Sequence, residues 1–139
     1  MRIARYLGEA ARLSEYAVLL RHETGRVRDR EITASLRRLI DRVGYCCELA
    51  GQDKIFAEHD DQRLAALERF EAAYQIAKSE LLDAVVERRL TVDETDQLLG
   101  SLSHTRRMVE QLVKADRMLR SPAVMDVIEA EKRDTRTGV

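Results

Sequence analysis

The sequence predicts an all-α fold, an antiparallel four-helix bundle built from two helical hairpins. Composition is the first observation. Alanine, leucine, arginine and glutamate dominate, with one proline and six glycines in 139 residues, a mixture that favours helix over sheet. Patterning is the second: four long stretches repeat apolar residues at intervals of three and four, and none alternates as a half-buried strand does. The third is punctuation, because short links between long amphipathic helices make antiparallel neighbours.

The first helix is expected from Arg2 to about His22, on Ile3, Leu7, Ala10, Ala11, Leu13, Ala17, Val18 and Leu20. Thr24-Gly25 stops it, and His22 lies near the negative end of the helix dipole. The second begins near Asp29 and runs to at least Ala50. It ends at Gly51 or continues through Ile55 and Phe56; a break at Gly51 leaves a three-helix arrangement as the alternative. The third starts after His59-Asp60-Asp61 and carries Leu64, Leu67, Phe70, Tyr74, Ala77, Leu81, Leu82, Val85 and Val86. It ends around Arg88-Arg89, basic residues where the dipole favours them. Thr91-Val92-Asp93-Glu94 has the form of a capping box. It opens a fourth helix through Leu98, Leu99, Leu102, Met108, Val109, Leu112, Val113 and Met118. The expected organisation is a bundle over residues 1–120, then a short C-terminal helix or disordered tail over 121–139, with Pro122 at the junction.

Charge bounds the partners. Twenty-four basic and 25 acidic residues give a net charge of −1, so the electrostatic footprint of a nucleic-acid binder is missing and none is expected as a partner. Residues 1–50 carry ten basic and seven acidic side chains, residues 51–100 six and twelve. The asymmetry fits one half of a bundle complementing the other, or a modest acidic face. The longest apolar run, Ala17-Val18-Leu19-Leu20, is too short to cross a bilayer. No signal peptide is expected, since Arg2 and Arg5 are followed by Gly8, Glu9 and Arg12 rather than by an apolar run. Cys46 and Cys47 are adjacent on one helix, about 100° apart, and make a poor disulfide pair. They read as small hydrophobes in a reducing cytoplasm.

On the second helix, Leu36, Leu39, Ile40, Val43, Cys47 and Ala50 fall on one stripe and are expected in the core. Asp41, Tyr45 and Glu48 fall on the opposite side, with Arg37 one turn before Asp41. The plain reading of these four is a solvated face with an i,i+4 ion pair. Gly44 sits at the edge between the two faces. A glycine inside a helix costs about 1 kcal/mol relative to alanine, so it implies close approach of a neighbouring helix or backbone room for a ligand.

The stretch Leu36-Arg37-Arg38-Leu39-Ile40-Asp41-Arg42-Val43-Gly44-Tyr45-Cys46-Cys47-Glu48-Leu49-Ala50 resembles the signature helix of PhoU-like domains. Asp41, Arg42, Val43 and Gly44 match its acid-Arg-Ile-Gly core, and Leu49 and Ala50 match its end. His104 to Leu112 resembles a degenerate second copy, and Leu90 to Leu99 looks like the connection in the cytosolic region of bacterial sodium/phosphate cotransporters. The resemblance implies a non-catalytic regulatory module linked to phosphate uptake. It would act through contacts with a membrane phosphate transporter or its regulators, in the cytoplasm at the inner face of the membrane. In the family, acids one turn apart on such helices hold metal ions, since carboxylates at that spacing share a face. Here Tyr45 stands in place of the family's aspartate, Glu48 in place of asparagine, and Arg106 in place of the first acid of the second copy. What remains of a divalent-metal set is Asp41, Glu48 and Glu110, and no cofactor is expected.

Catalysis finds little to build on. No two of His22, His59 and His104 are three or four residues apart, no Glu-x-x-His pair occurs, and no glycine-rich phosphate loop is present. Glu58-His59-Asp60-Asp61 reads as a helix start or a loose cation site. The densest positive stretch, Arg26, Arg28 and Arg30 with Arg37, Arg38 and Arg42 beyond, is the candidate surface for phosphate, an anionic membrane surface or an acidic partner. Two other functions fit the same residues: a helical dimerisation or adaptor module unrelated to phosphate, with homodimerisation through apolar helix faces, and a metal-binding helical bundle.

Overall fold

In the computed structural model the described residues are 2–50, 57–119 and 130–136, and their regular structure is all α-helix. The four long helices are α1 Arg2–Arg26, α2 Arg30–Ala50, α3 Ala57–Val86 and α4 Val92–Leu119. Residues 130–136 form a further short helix with every side chain exposed. The alternatives weighed at Gly51 and Pro122 lie outside the described residues, as do the side chains of Glu58, His59 and Asp60. α3 begins at Ala57, before the acidic cluster that was expected to start it.

Local chemistry sets each described boundary. Asp29 caps α2, its Oδ1 accepting from the backbone N–H of Glu31 (3.1 Å) and Ile32 (3.2 Å). Thr91 caps α4 as its sequence requires, with Oγ1 accepting from Glu94 N–H at 3.1 Å. α3 ends in a Schellman-type turn: Arg89 N–H reaches Ala84 O (2.8 Å) and Arg88 N–H reaches Val85 O (3.0 Å). Arg88 itself is left-handed, with φ of 58°.

The interhelical contacts run antiparallel. Between α1 and α4, Glu9 meets Arg107, Tyr16 meets His104 and Glu23 meets Ser101. Between α2 and α3, Ser35 donates to Glu80, Cys46 lies against Ala66 O, and Leu49 O against Arg63. The sequence neighbours α1–α2 and α3–α4 do touch, but the larger interfaces are α1–α4 and α2–α3, and α2 also meets α4. The α1–α4 seam has small side chains. Ala10 on α1 and Ser101 and Thr105 on α4 are buried, and Thr105 satisfies its own hydroxyl by donating to Ser101 O at 2.7 Å.

The core draws on all four helices, with Leu13, Leu20, Ile32, Leu36, Leu39, Phe70, Leu81, Leu102 and Val109 almost wholly buried. Several expected core positions face outward instead: Leu7, Val18, Leu64, Leu82 and Val86 are exposed. On α2 the buried stripe is Ile32, Leu36, Leu39, Val43, Cys46 and Leu49. Cys46 is therefore the buried cysteine and Cys47 the exposed one, the reverse of the expectation for Cys47. Spacings of three and four keep a 3.5-residue stripe on a neighbouring helix, where a straight 100° projection drifts past it.

The Asp29–Arg89 contact (2.6 Å) ties the α1–α2 turn to the α3–α4 turn. The hydrogen bond from Arg89, then that from Ile32, holds the Asp29 carboxyl below its ordinary value of 3.8. A depressed carboxyl pKa adds stability that is present above the ordinary value and is lost as pH falls through the folded one. The stability difference between wild type and Asp29→Asn, measured by urea unfolding at pH 7 and pH 3, is expected to shrink at pH 3.

Candidate functional site

The polar residues singled out on α2 lie toward the surface. Asp41, Tyr45 and Glu48 are exposed and Arg42 is half-buried. Among the described residues, neither Arg37 nor Asp41 makes an ion pair with the other. Gly44 does not serve a close helix approach: a Cβ built there meets nothing within 4 Å, because it sits on the solvent side of the buried stripe. Gly44→Ala is therefore expected to raise stability by about 0.5–1 kcal/mol, read as a higher denaturation midpoint at unchanged m-value.

The three metal candidates do not come together. Asp41 and Glu48 are two turns apart on α2, about 10 Å along its axis, and Glu110 on α4 is engaged by Arg106 at 3.5 Å. Among the described residues, no three His, Cys, Asp or Glu side chains form a group able to hold a metal ion. On α4, Arg106 acts as a tether. Arg106 binds Glu71 of α3 through Nε (3.2 Å) and Nη2 (3.1 Å) and lies 4.8 Å from the centre of the Tyr74 ring.

The expected anion patch also divides. Arg26 and Arg28 border a cavity at the end of the molecule with Asp29 and Arg89, and Arg30 lies beside Glu31, Glu80 and Glu87. Arg42 is about 18 Å along α2 from Arg30 and belongs to a different group. It lines a groove of about 190 Å³ between α2 and α3 with Arg38, Arg69, Ser35, Ala72, Ala73 and Ile76. Sequence reading placed Arg38 and Arg42 in the basic set but missed Arg69 as their partner. The signal was there only in part: Ser35, Arg38 and Arg42 share one face of α2, but the register that sets Arg69 opposite them is tertiary.

Two other places hold chemistry-bearing side chains. Tyr16 stacks on His104 with ring centroids 3.9 Å apart. The His104 Nδ1–H donates to Gly100 O at 2.7 Å. The open cavity beside them also reaches His22, Glu23 and Asp96. Cys46 donates to Ala66 O at 3.6 Å, and burial, then Cys47, pushes its thiol up to about 11. Cys47 is shifted upward too, by desolvation and then by Glu48. Both are therefore thiols rather than nucleophilic thiolates at neutral pH.

Among the described residues no helix is long and apolar enough to cross a membrane. In comparison with known proteins, no family model matches the chain, and neither a curated protein nor a solved structure matches it.

Proposed function

We propose that this chain is a non-catalytic, PhoU-like regulatory domain, an antiparallel four-helix bundle linked to phosphate uptake that acts through contacts with a membrane phosphate transporter or its regulators. The observation that carries this reading is the placement of Asp41-Arg42-Val43-Gly44. Only Val43 of the four is buried; Asp41 and Gly44 are exposed, and the half-buried Arg42 lines an arginine-rich groove. The test is capture of partners from native membranes with the tagged protein, with and without phosphate starvation, read by mass spectrometry. Recovery of a phosphate transporter or its regulators supports the reading; recovery only of unrelated soluble proteins opposes it.

A second reading, a homodimerisation or adaptor module unrelated to phosphate, is favoured by the outer face of α1. Ala4, Leu7, Gly8, Ala11 and Val18 are all exposed there, on the side opposite Leu13 and Leu20. Sedimentation of wild type against Leu7→Lys with Val18→Lys separates the two: a dimer lost in the variant favours this second reading.

A further inference from the structure

From the groove between α2 and α3 we infer a binding site for a phosphoryl dianion, inorganic phosphate or a phosphate monoester headgroup, held by Arg38, Arg42 and Arg69. The site stands on the arginines; the choice of phosphate among anions rests on the phosphate-linked reading above.

Four other arginines of this protein meet a carboxylate across a helix interface or between turns: Arg63 with Asp116, Arg89 with Asp29, Arg106 with Glu71 and Arg107 with Glu9. Arg38, Arg42 and Arg69 make no such pair among the described residues, although the chain has as many acids as bases to offer. They share one groove, and no acidic residue lines it. Three guanidinium groups gathered without a counter-ion repel one another, an arrangement that a bound anion reverses. The floor is small: Ala72, Ala73 and Ser35 leave about 190 Å³ open, room for a tetrahedral oxyanion and some of its water. At one end of the groove the Ser35 hydroxyl donates to Glu80. Arginine suits the ligand because its planar fork donates two parallel hydrogen bonds to phosphate oxygens.

Arg42 is half-buried while Arg38 and Arg69 are exposed. The geometry therefore gives one seated arginine and two that close over the ligand from either helix.

The test titrates the isotope-labelled full chain with inorganic phosphate at constant ionic strength, following the arginine Nε–Hε and backbone amide resonances. A second arm measures sedimentation with phosphatidylcholine vesicles with and without phosphatidic acid. Arg38→Gln, Arg42→Gln and Arg69→Gln are each expected to weaken binding about ten-fold, and Arg37→Gln, an equal charge change on the same helix outside the groove, by less than about two-fold. Saturable shifts with free phosphate assign a soluble ligand; binding only to phosphatidic acid vesicles assigns a lipid headgroup; either supports the site when the groove variants weaken it about ten-fold. No binding in either arm, or equal loss with Arg37→Gln, overturns it. Circular dichroism of each variant establishes that the fold is kept. A failed titration leaves the capture of a transporter from membranes to be judged by itself.

Discussion

Phe70→Ala is expected to lower stability by about 3–5 kcal/mol, out of a total of about 5–15 kcal/mol for a domain of this kind. Phe70 is wholly buried and packs beside Tyr74 with ring centroids 6.3 Å apart. Removing its ring loses the transfer energy of the ring and leaves a cavity that four packed helices cannot close. The melting temperature should fall by more than about 10 °C. Two adjacent leucines make the control. Leu81 is fully buried and Leu82 is 47% exposed, so Leu81→Ala is expected to cost about 2–5 kcal/mol and Leu82→Ala under about 1 kcal/mol. Equal losses at the two positions would mean that α3 is rotated from the face described here.

The second large effect is at the far end of the molecule, where Arg63 and Asp116 join α3 to α4 with Nε and Oδ2 3.1 Å apart. Their side chains are 13% and 14% exposed, and Arg63 Nη2 also donates to Leu49 O at the end of α2. Arg63 Nε and Nη1 have no hydrogen-bond acceptor among the described residues, the Nε contact to Asp116 being a charge contact without hydrogen-bond geometry, so the guanidinium is partly desolvated and incompletely satisfied. Asp116→Ala leaves that charge without its carboxylate and is expected to cost about 2 kcal/mol, below the 3–5 kcal/mol of a fully buried pair. Replacing both, as Arg63→Met with Asp116→Leu, is expected to recover stability to within about 1 kcal/mol of wild type, since a well-packed apolar pair removes the desolvation cost. A double-mutant cycle by urea unfolding measures the coupling. Simple additivity would contradict it.

What the sequence made legible follows the range of the interactions involved. The caps at Asp29 and Thr91 and the C-terminal turn of α3 are local, and the Thr91 capping box reads directly from its spacing. Core positions such as Leu36, Leu39, Phe70 and Leu102 follow from helical periodicity. Cys46 and Cys47 mark where periodicity is insufficient: a difference of one residue depends on how the helix winds against its neighbour. Leu7, Val18 and Leu82 mark a second limit, because apolarity says that a side chain prefers burial but not that its face has a partner. The groove at Arg42 is the third. Its other half, Arg69 with Ala72 and Ala73, lies on α3, and only the antiparallel register of α2 on α3 brings the halves together. Gly44 was legible as unusual, but its solvent-facing position was not.

The most direct measurement places a photo-crosslinking phenylalanine analogue at position 45. Tyr45 is exposed and directly follows Asp41-Arg42-Val43-Gly44, so an aromatic replacement there disturbs little. In cells grown with and without phosphate, illumination is expected to join this position to a membrane phosphate transporter or one of its regulators, with a yield that changes with phosphate supply. A crosslink only to a second copy of the chain, or none above that of a position on the outer face of α3, would contradict a phosphate-linked contact surface on α2.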